Sequence, residues 1–306
     1  MTASALPPSA PRIVSLVPNG TEILFALGAG DQVVGVSHEC DFPPAARERP
    51  TLTGSALAPD LAPAEIDRAV SAQVGQALSL YTIDEALLAR LAPELIVTQE
   101  LCPVCAVSTE QVEGAVAPLP RCPEVLSLDP RRLADVFEDI RSVGTRIGRE
   151  REAAELVESL EGRLARVKES RAATGSNPPR VLALEWLEPP FAGGHWVPEM
   201  IEAAGGIDVA AQPGDGSRRM TWDEVAALDP DLIVAMPCGF DEAGARAQIA
   251  RIAETPEWTA LRAVRAGLVF PVDANGCFSR PGPRLADGIE RLAEIFRSLP
   301  SGSIRR

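Results

Sequence analysis

An internal duplication constrains the fold of this chain more than any other feature of its sequence. The segment PRIVSL, Pro11–Leu16, recurs as PRVLAL, Pro179–Leu184, and each copy is a short apolar run entered through a proline. The segment LAPELIV, Leu91–Val97, recurs as LDPDLIV, Leu228–Val234, in the order helix end, proline, buried strand. The duplication therefore predicts two related lobes.

Within each copy, apolar strands alternate with helical patterns. The predicted strands are Ile13–Leu16, Val33–Val36, Leu95–Thr98 and Val125–Leu128 in the first copy, and Val181–Leu184, Leu232–Ala235 and Leu268–Val272 in the second. Such alternation is typical of mainly parallel sheets covered by helices on both faces. We therefore predict an α/β protein with two Rossmann-like lobes.

The boundaries of the lobes follow from composition and periodicity. Residues 1–11 are predicted to be disordered, 12–129 to form the first lobe and 178–300 the second. Between them, residues 130–172 carry apolar side chains at helical spacing, which predicts a connecting helix. A helix over Glu150–Ala172 alone would be about 35 Å long, enough to join two lobes.

Composition excludes several classes of function. The chain has 306 residues, of which 46% are hydrophobic, so it is long and apolar enough for real cores. Its formal net charge of −14 repels nucleic acid. Met1–Pro11 lacks the apolar run of an export signal, and no apolar stretch is long enough to span a membrane. We expect a cytoplasmic monomer that is not inserted in a membrane.

The loops that follow the predicted strands hold an unusual share of metal-binding side chains. In parallel sheets, ligands collect beyond the carboxyl ends of the strands. Both histidines and all of the six cysteines except Cys122 lie in such loops. The candidate ligands of a thiophilic metal are His38, Cys40, Cys102, Cys105, Cys238 and Cys277. Thiolate and imidazole suit zinc, copper(I) or an iron–sulfur cluster, whereas buried cysteines that only fill space are the alternative.

Aromatic side chains also lie in these loops rather than on periodic core faces. They are Trp186, Phe191, Trp196 and Phe278. Aromatic flanks suit a large, flat, partly apolar ligand. His195, beside Trp196, either ligates a metal of that ligand or makes a structural hydrogen bond.

Four segments carry a resemblance to a known family: SLVPNGTEILFALGAGDQVVGVS, the DFPP that follows it, EPPFAGG and FSRPGPR. Over Pro11–Leu299 the chain resembles the substrate-binding proteins of ABC importers for cobalamin, siderophore-bound iron and haem, most closely the cobalamin-binding members. The resemblance implies two α/β lobes joined by a long helix, with the ligand in a cleft between them. It also implies that the corrin ring or its amides face Pro18, Asn19, Glu39, Trp186, Phe191, Phe278 and Arg280. The missing export signal and the loop cysteines depart from the family pattern.

The predicted function is the non-enzymatic binding of a cobalamin or related corrinoid, with an ABC importer permease as partner. The alternative is a cytoplasmic metal or redox protein that holds a thiolate-bound metal on its loop cysteines. A thiol-dependent enzyme acting on a corrinoid is a third alternative, although no base and orienting residue stand out beside a cysteine. The sequence has neither a phosphate-binding GxxxxGK[ST] loop nor a GxSxG nucleophile motif.

Overall fold

The computed structural model describes residues 10–57, 61–75, 80–100, 107, 109–172 and 177–300. The chain divides into two compact units, which correspond to the two predicted lobes. The first comprises Met1–Pro130 and Asp135–Glu158, and the second comprises Arg131–Ala134 and Ser159–Arg306. The predicted disordered residues 1–11 lie almost wholly outside the described part of the chain.

The first unit is built on a parallel sheet whose strand order is β2-β1-β5-β6. A separate antiparallel pair, β3 and β4, lies in the same unit. The strands are β1 (Ile13–Ser15), β2 (Val33–Val36), β3 (Thr53–Ser55), β4 (Tyr81–Ile83), β5 (Leu95–Thr98) and β6 (Glu124–Ser127). The helices from this half of the chain are α1 (Pro18–Ala26), α2 (Pro63–Gly75), α3 (Glu85–Leu91), α4 (Thr109–Val116), α5 (Leu133–Arg146) and α6 (Glu150–Ala172).

The second unit has a larger, mixed sheet in the order β10-β8-β7-β11-β12, with β9 paired to β7. Its strands are β7 (Arg180–Leu187), β8 (Pro190–Ala192), β9 (Ile207–Asp208), β10 (Arg218–Arg219), β11 (Leu232–Ala235) and β12 (Val269–Pro271). Strands β9, β11 and β12 run parallel to their neighbours, whereas β8 and β10 are antiparallel. The helices are α7 (Val197–Ala204), α8 (Trp222–Leu228), α9 (Glu242–Ile252), α10 (Pro256–Ala260), α11 (Arg262–Arg265), α12 (Ala274–Cys277) and α13 (Leu285–Ser298).

The duplicated segments form the centre of each sheet. In the first unit β1 pairs with β5, and in the second β7 pairs with β11, both in parallel. The repeated isoleucines of LAPELIV and LDPDLIV, Ile96 and Ile233, are both fully buried. The predicted α/β fold with mainly parallel sheets is thus confirmed.

The segment predicted as one connecting helix, residues 130–172, forms two helices. Helix α5 ends at Arg146 and α6 begins at Glu150, and Gly148 between them has a φ of +68°. Only glycine adopts such a backbone at no steric penalty, so the chain turns here and starts a new helix. Glu150–Ala172 is a single helix, as predicted.

Within the described residues, no helix is both long and apolar enough to cross a lipid bilayer.

Candidate functional site

A row of partly exposed side chains crosses adjacent elements of the second unit. Trp186 on β7 lies opposite Phe191 on β8, and Phe191 lies opposite Arg219 on β10. The Arg219 guanidinium carbon is 5.1 Å from the centroid of the Phe191 ring. On the other side, the ring centroids of Trp186 and Phe240 are 6.0 Å apart. We call Phe240, Trp186, Phe191 and Arg219 the aromatic row; it offers ring faces and a cation to a flat ligand.

A carboxyl group lies at the start of this row. Glu185 precedes Trp186 on β7, at a point where the register between β7 and β8 shifts. The Ser217 hydroxyl hydrogen-bonds the Glu185 side chain, and the Cys238 backbone N–H donates to the Glu185 carbonyl oxygen at 3.0 Å. Burial, followed by the nearby Cys238 thiol, raises the pKa of Glu185 to about 8, although Ser217 opposes the shift. Glu185 therefore favours its neutral form near pH 7.

The Gly-Gly-His-Trp segment after β8 is fixed by close backbone contacts. A Cβ at Gly194 would lie 2.4 Å from the Ser217 nitrogen, so only glycine fits there. His195 has a φ of 55°, and its N–H donates to the Asp215 carbonyl oxygen. Burial and then the positive charge of Arg131 lower the pKa of His195. The half-buried imidazole is therefore mainly neutral at neutral pH.

Two of the predicted aromatic ligand contacts lie in the core of the second unit. Phe278 is 1% exposed, and its carbonyl oxygen accepts a hydrogen bond from Trp196 Nε1 at 2.8 Å. Trp196 is itself buried. Arg280, another predicted contact, is also buried. Trp196, Phe278 and Arg280 are thus less accessible than the partly exposed Trp186 and Phe191.

In the first unit, His38 and Glu39 follow β2 as predicted. His38 Nδ1 lies 2.7 Å from Thr53 Oγ1, and its Nε2 lies 3.4 Å from a Glu39 carboxylate oxygen. The His38 ring is 5.5 Å from that of Tyr81, the chain's single tyrosine. These contacts fix the position of the imidazole.

Cys40, in the loop after β2, lies among polar atoms. Thr21 Oγ1 donates to its sulfur at 3.0 Å, and Ser37 Oγ lies 3.2 Å from it.

The residues at the start of α1 form a second buried group. Pro18 and Asn19 begin this helix after β1, and both are buried. The Asn19 amide is 1% exposed and has no hydrogen-bond partner among the described residues. A buried amide left unsatisfied is costly, which makes Asn19 a candidate for a partner from a ligand.

The metal hypothesis receives no support from the described residues. They contain no group of three or more His, Cys, Asp or Glu side chains arranged to hold a metal ion. Cys40 is satisfied by hydroxyl groups, while Cys238 and Cys277 are partly exposed. Cys102 and Cys105 lie outside the described residues.

Sequence reasoning missed several members of these clusters. Glu185 adjoins a predicted contact, and Phe240 lies in a loop that was recognised as following β11. Arg219 is exposed and lies opposite Phe191 on the adjacent strand. Its proximity to Phe191 depends on the pairing of β10 with β8, and two adjacent arginines in a sequence do not predict a strand. Tyr81 could have been singled out as the lone tyrosine of the chain.

Comparisons with known proteins agree with this architecture. The family model described as periplasmic binding protein matches residues 13–275. An uncharacterized ABC transporter substrate-binding lipoprotein of Bacillus subtilis, YvrC, is 27% identical over 92% of this chain and 79% of its own length. The vitamin B12-binding protein of Vibrio cholerae is 24% identical over 96% of this chain and 91% of its own length.

A solved structure extends the likeness to the fold. The periplasmic heme-binding protein RhuT of Roseiflexus has a TM-score of 0.70 at 24% identity, over 94% of this chain and 98% of that protein. The expectation of a cytoplasmic protein finds no support here, because the matched family is described as periplasmic and one relative is a lipoprotein.

Proposed function

Because this chain belongs to the periplasmic binding protein family, we propose that it is the substrate-binding component of an ABC importer and that it binds a cobalamin or a related corrinoid. No chemical reaction is part of this function. The permease of the importer is its protein partner. We place the protein outside the cytoplasm, in line with the description of its family.

The aromatic row of the second unit carries the ligand proposal. A corrinoid is large, flat and apolar on its faces, and carboxamide groups surround its rim. Trp186 and Phe191 are paired across adjacent strands and are both partly exposed, so their rings are available to pack against such a face. Arg219 beside them offers N–H groups to oxygen atoms on the rim.

Five other predicted contacts remain part of the proposal. They are Pro18, Asn19, Glu39, His195 and Arg280. Asn19 fits best among them, because its buried amide has no partner among the described residues. Trp196 and Phe278 are buried, so we expect them to support the binding loop rather than contact the ligand.

Haem is the competing ligand, because it is also a flat macrocycle and a heme-binding protein shares this fold. The test is calorimetric titration of the purified protein with cyanocobalamin, hemin and ferrioxamine B, each checked by quenching of tryptophan fluorescence. We expect cyanocobalamin to bind most tightly. Binding of hemin or ferrioxamine B alone would assign a different ligand to the same family role.

The aromatic row is tested by two substitutions and a control. Trp186→Ala and Phe191→Ala should each weaken cyanocobalamin binding about tenfold or more, as loss of a packed aromatic contact does. Phe296→Ala on α13, also partly exposed, is the matched control and should stay within about twofold of the wild type. If no cyanocobalamin binds at tens of micromolar, the ligand proposal is wrong.

A further inference from the structure

Glu185 occupies an irregular position in the sheet of the second unit. Between β7 and β8, Leu184 lies opposite Ala192 and Trp186 lies opposite Phe191, so Glu185 is an extra residue on its strand. Such β-bulges redirect a side chain and are over-represented beside binding sites. The bulge therefore sets Glu185 apart from the regular alternation of the strand while leaving it next to Trp186.

Glu185 has a polar neighbour on each side. Strand β8 lies to one side of β7, and beyond it the Ser217 hydroxyl reaches the Glu185 carboxyl group. On the other side, the loop after β11 places Cys238 close enough for its charge to act on Glu185. Ser217 thus hydrogen-bonds the carboxyl group, while Cys238 disfavours its ionised form.

The electrostatics favour a neutral carboxyl group at this position. A pKa of about 8 for Glu185 arises first from burial, and no arginine contributes to it. A protonated carboxyl group has one O–H donor and still has acceptor capacity. A primary carboxamide has the complementary pair, an acceptor oxygen and N–H donors, so the two groups can form two hydrogen bonds at once.

On the basis of the proposed function, we propose that Glu185 is a specificity-determining residue. Its carboxyl group hydrogen-bonds a carboxamide on the rim of a ligand that packs against the aromatic row. Trp186 and Phe191 contact the ring face, which many flat ligands share. Glu185 contacts the rim instead, so it distinguishes between ligands by the chemical groups on their rims. A buried polar group left without its partner discriminates strongly against ligands that lack the complementary group.

The test compares three substitutions by titration with cyanocobalamin. Glu185→Gln is nearly isosteric and keeps a donor and an acceptor, so it should bind within about threefold of the wild type. Glu185→Leu keeps the volume but removes both groups, so its affinity should fall about tenfold or more. Glu257→Leu on the exposed surface of α10 is the matched control and should bind like the wild type. Thermal unfolding of each variant establishes that it is folded.

Ser217→Ala gives a second readout that does not depend on Glu185→Leu folding well. Loss of the hydroxyl should weaken cyanocobalamin binding about threefold in the wild type, because the carboxyl group is then held less firmly. The same change should have no effect in Glu185→Leu if the two residues act as one unit. A purely structural role for Ser217 predicts equal effects in both backgrounds.

The outcomes separate this inference from the proposed function. If the wild type binds no cyanocobalamin, the proposed function fails. If the wild type binds and Glu185→Leu binds equally well, only the role of Glu185 is wrong. If Glu185→Gln loses as much affinity as Glu185→Leu, a neutral donor and acceptor is not what the ligand requires, and the inference is also overturned. In the apo protein near pH 7, the infrared carbonyl band of protonated carboxyl groups should be weaker in Glu185→Gln than in the wild type, with Asp139 supplying part of what remains.

Discussion

The two units share a central strand pair and differ at one flank of it. In the first unit, β1 has the parallel strand β2 as its outer neighbour. In the second, the short parallel strand β9 pairs with the start of β7, the antiparallel strand β8 pairs with its end, and β10 extends the sheet further. The aromatic row is built on this antiparallel extension. The duplicated segments thus account for the core of each unit, whereas the aromatic row lies where the two copies differ.

The largest expected effect tests whether the duplicated core is equivalent in the two units. Ile96→Ala and Ile233→Ala each remove a fully buried side chain from the repeated central strand, so each should lower the free energy of unfolding of its unit by about 2–5 kcal/mol. Urea denaturation followed by circular dichroism measures both. Ile207→Ala, at a residue that is 46% exposed, is the control and should change it by less than about 0.5 kcal/mol. Strongly unequal losses would show that the two cores are not equivalent.

The same comparison explains what could be predicted from the sequence. Strands β2, β5 and β11 have the predicted bounds, because each is a short, mainly apolar and almost wholly buried segment. The segment PPFAGGHW, whose aromatic residues are placed in a loop because they follow a predicted strand, contains β8. Prolines and glycines indicate breaks in regular structure, but they do not show that a short segment returns to pair with the strand before it.

The candidate site was predicted in part for a related reason. Position in the chain identified Trp186 and Phe191, because both follow the apolar core of β7. Position in the chain alone could not distinguish these two residues from Trp196 and Phe278, which also follow strands but are buried. Burial of a loop residue depends on what packs over the loop, and periodicity carries no information about that.

A second contrast concerns helices α5 and α13, which close the two copies. In the aligned segments RLADVFEDI and RLADGIERL, Asp139 corresponds to Arg291. Burial, and then the charges of Asp129 and Asp135, raise the pKa of Asp139 to about 7 from 3.8. One carboxylate oxygen of Asp139 is buried and has no hydrogen-bond partner among the described residues. Arg291 is exposed and pairs with Glu294 at 3.3 Å.

Asp139 should therefore make stability depend on pH. Its folded pKa is above its unfolded pKa, and the neutral carboxyl is the form that the fold tolerates. The contribution of Asp139 to the free energy of unfolding is thus greatest below pH 3.8, falls as the pH rises, and reaches its lower level above about pH 7. Asp139→Asn should raise the free energy of unfolding by roughly 1–3 kcal/mol at alkaline pH and leave it nearly unchanged near pH 4. Denaturation across this range measures the difference, and Arg291→Gln should show no comparable dependence.

Smaller effects are expected at helices α3 and α8, which occupy equivalent places before the repeated strands. The Asp84 side chain accepts from the Leu87 N–H at the start of α3. Thr221 caps α8 within a capping box, in which Glu224 also accepts from the Thr221 N–H. Asp84→Ala should lower the free energy of unfolding by about 0.5–1 kcal/mol, and Thr221→Ala by about 1–1.5 kcal/mol. Thr221→Ala also removes the hydrogen bond that the Thr221 hydroxyl donates to Glu224 Oε2 at 3.2 Å, and equal losses in thermal or urea unfolding would indicate that this bond adds nothing.

The smallest effect comes from the other end of the same two helices. Ala92 and Asp229 follow α3 and α8 with φ values of 44° and 43°, a left-handed conformation that favours glycine. Ala92→Gly should therefore raise the free energy of unfolding by about 0.5 kcal/mol, because relief of steric strain outweighs the added freedom of the unfolded chain. Asp229→Gly should bring no gain, since it removes the carboxylate that accepts from Arg262 Nε at 2.9 Å. Urea denaturation of both variants measures this contrast, and a similar gain in both would mean that the Arg262 contact contributes little to stability.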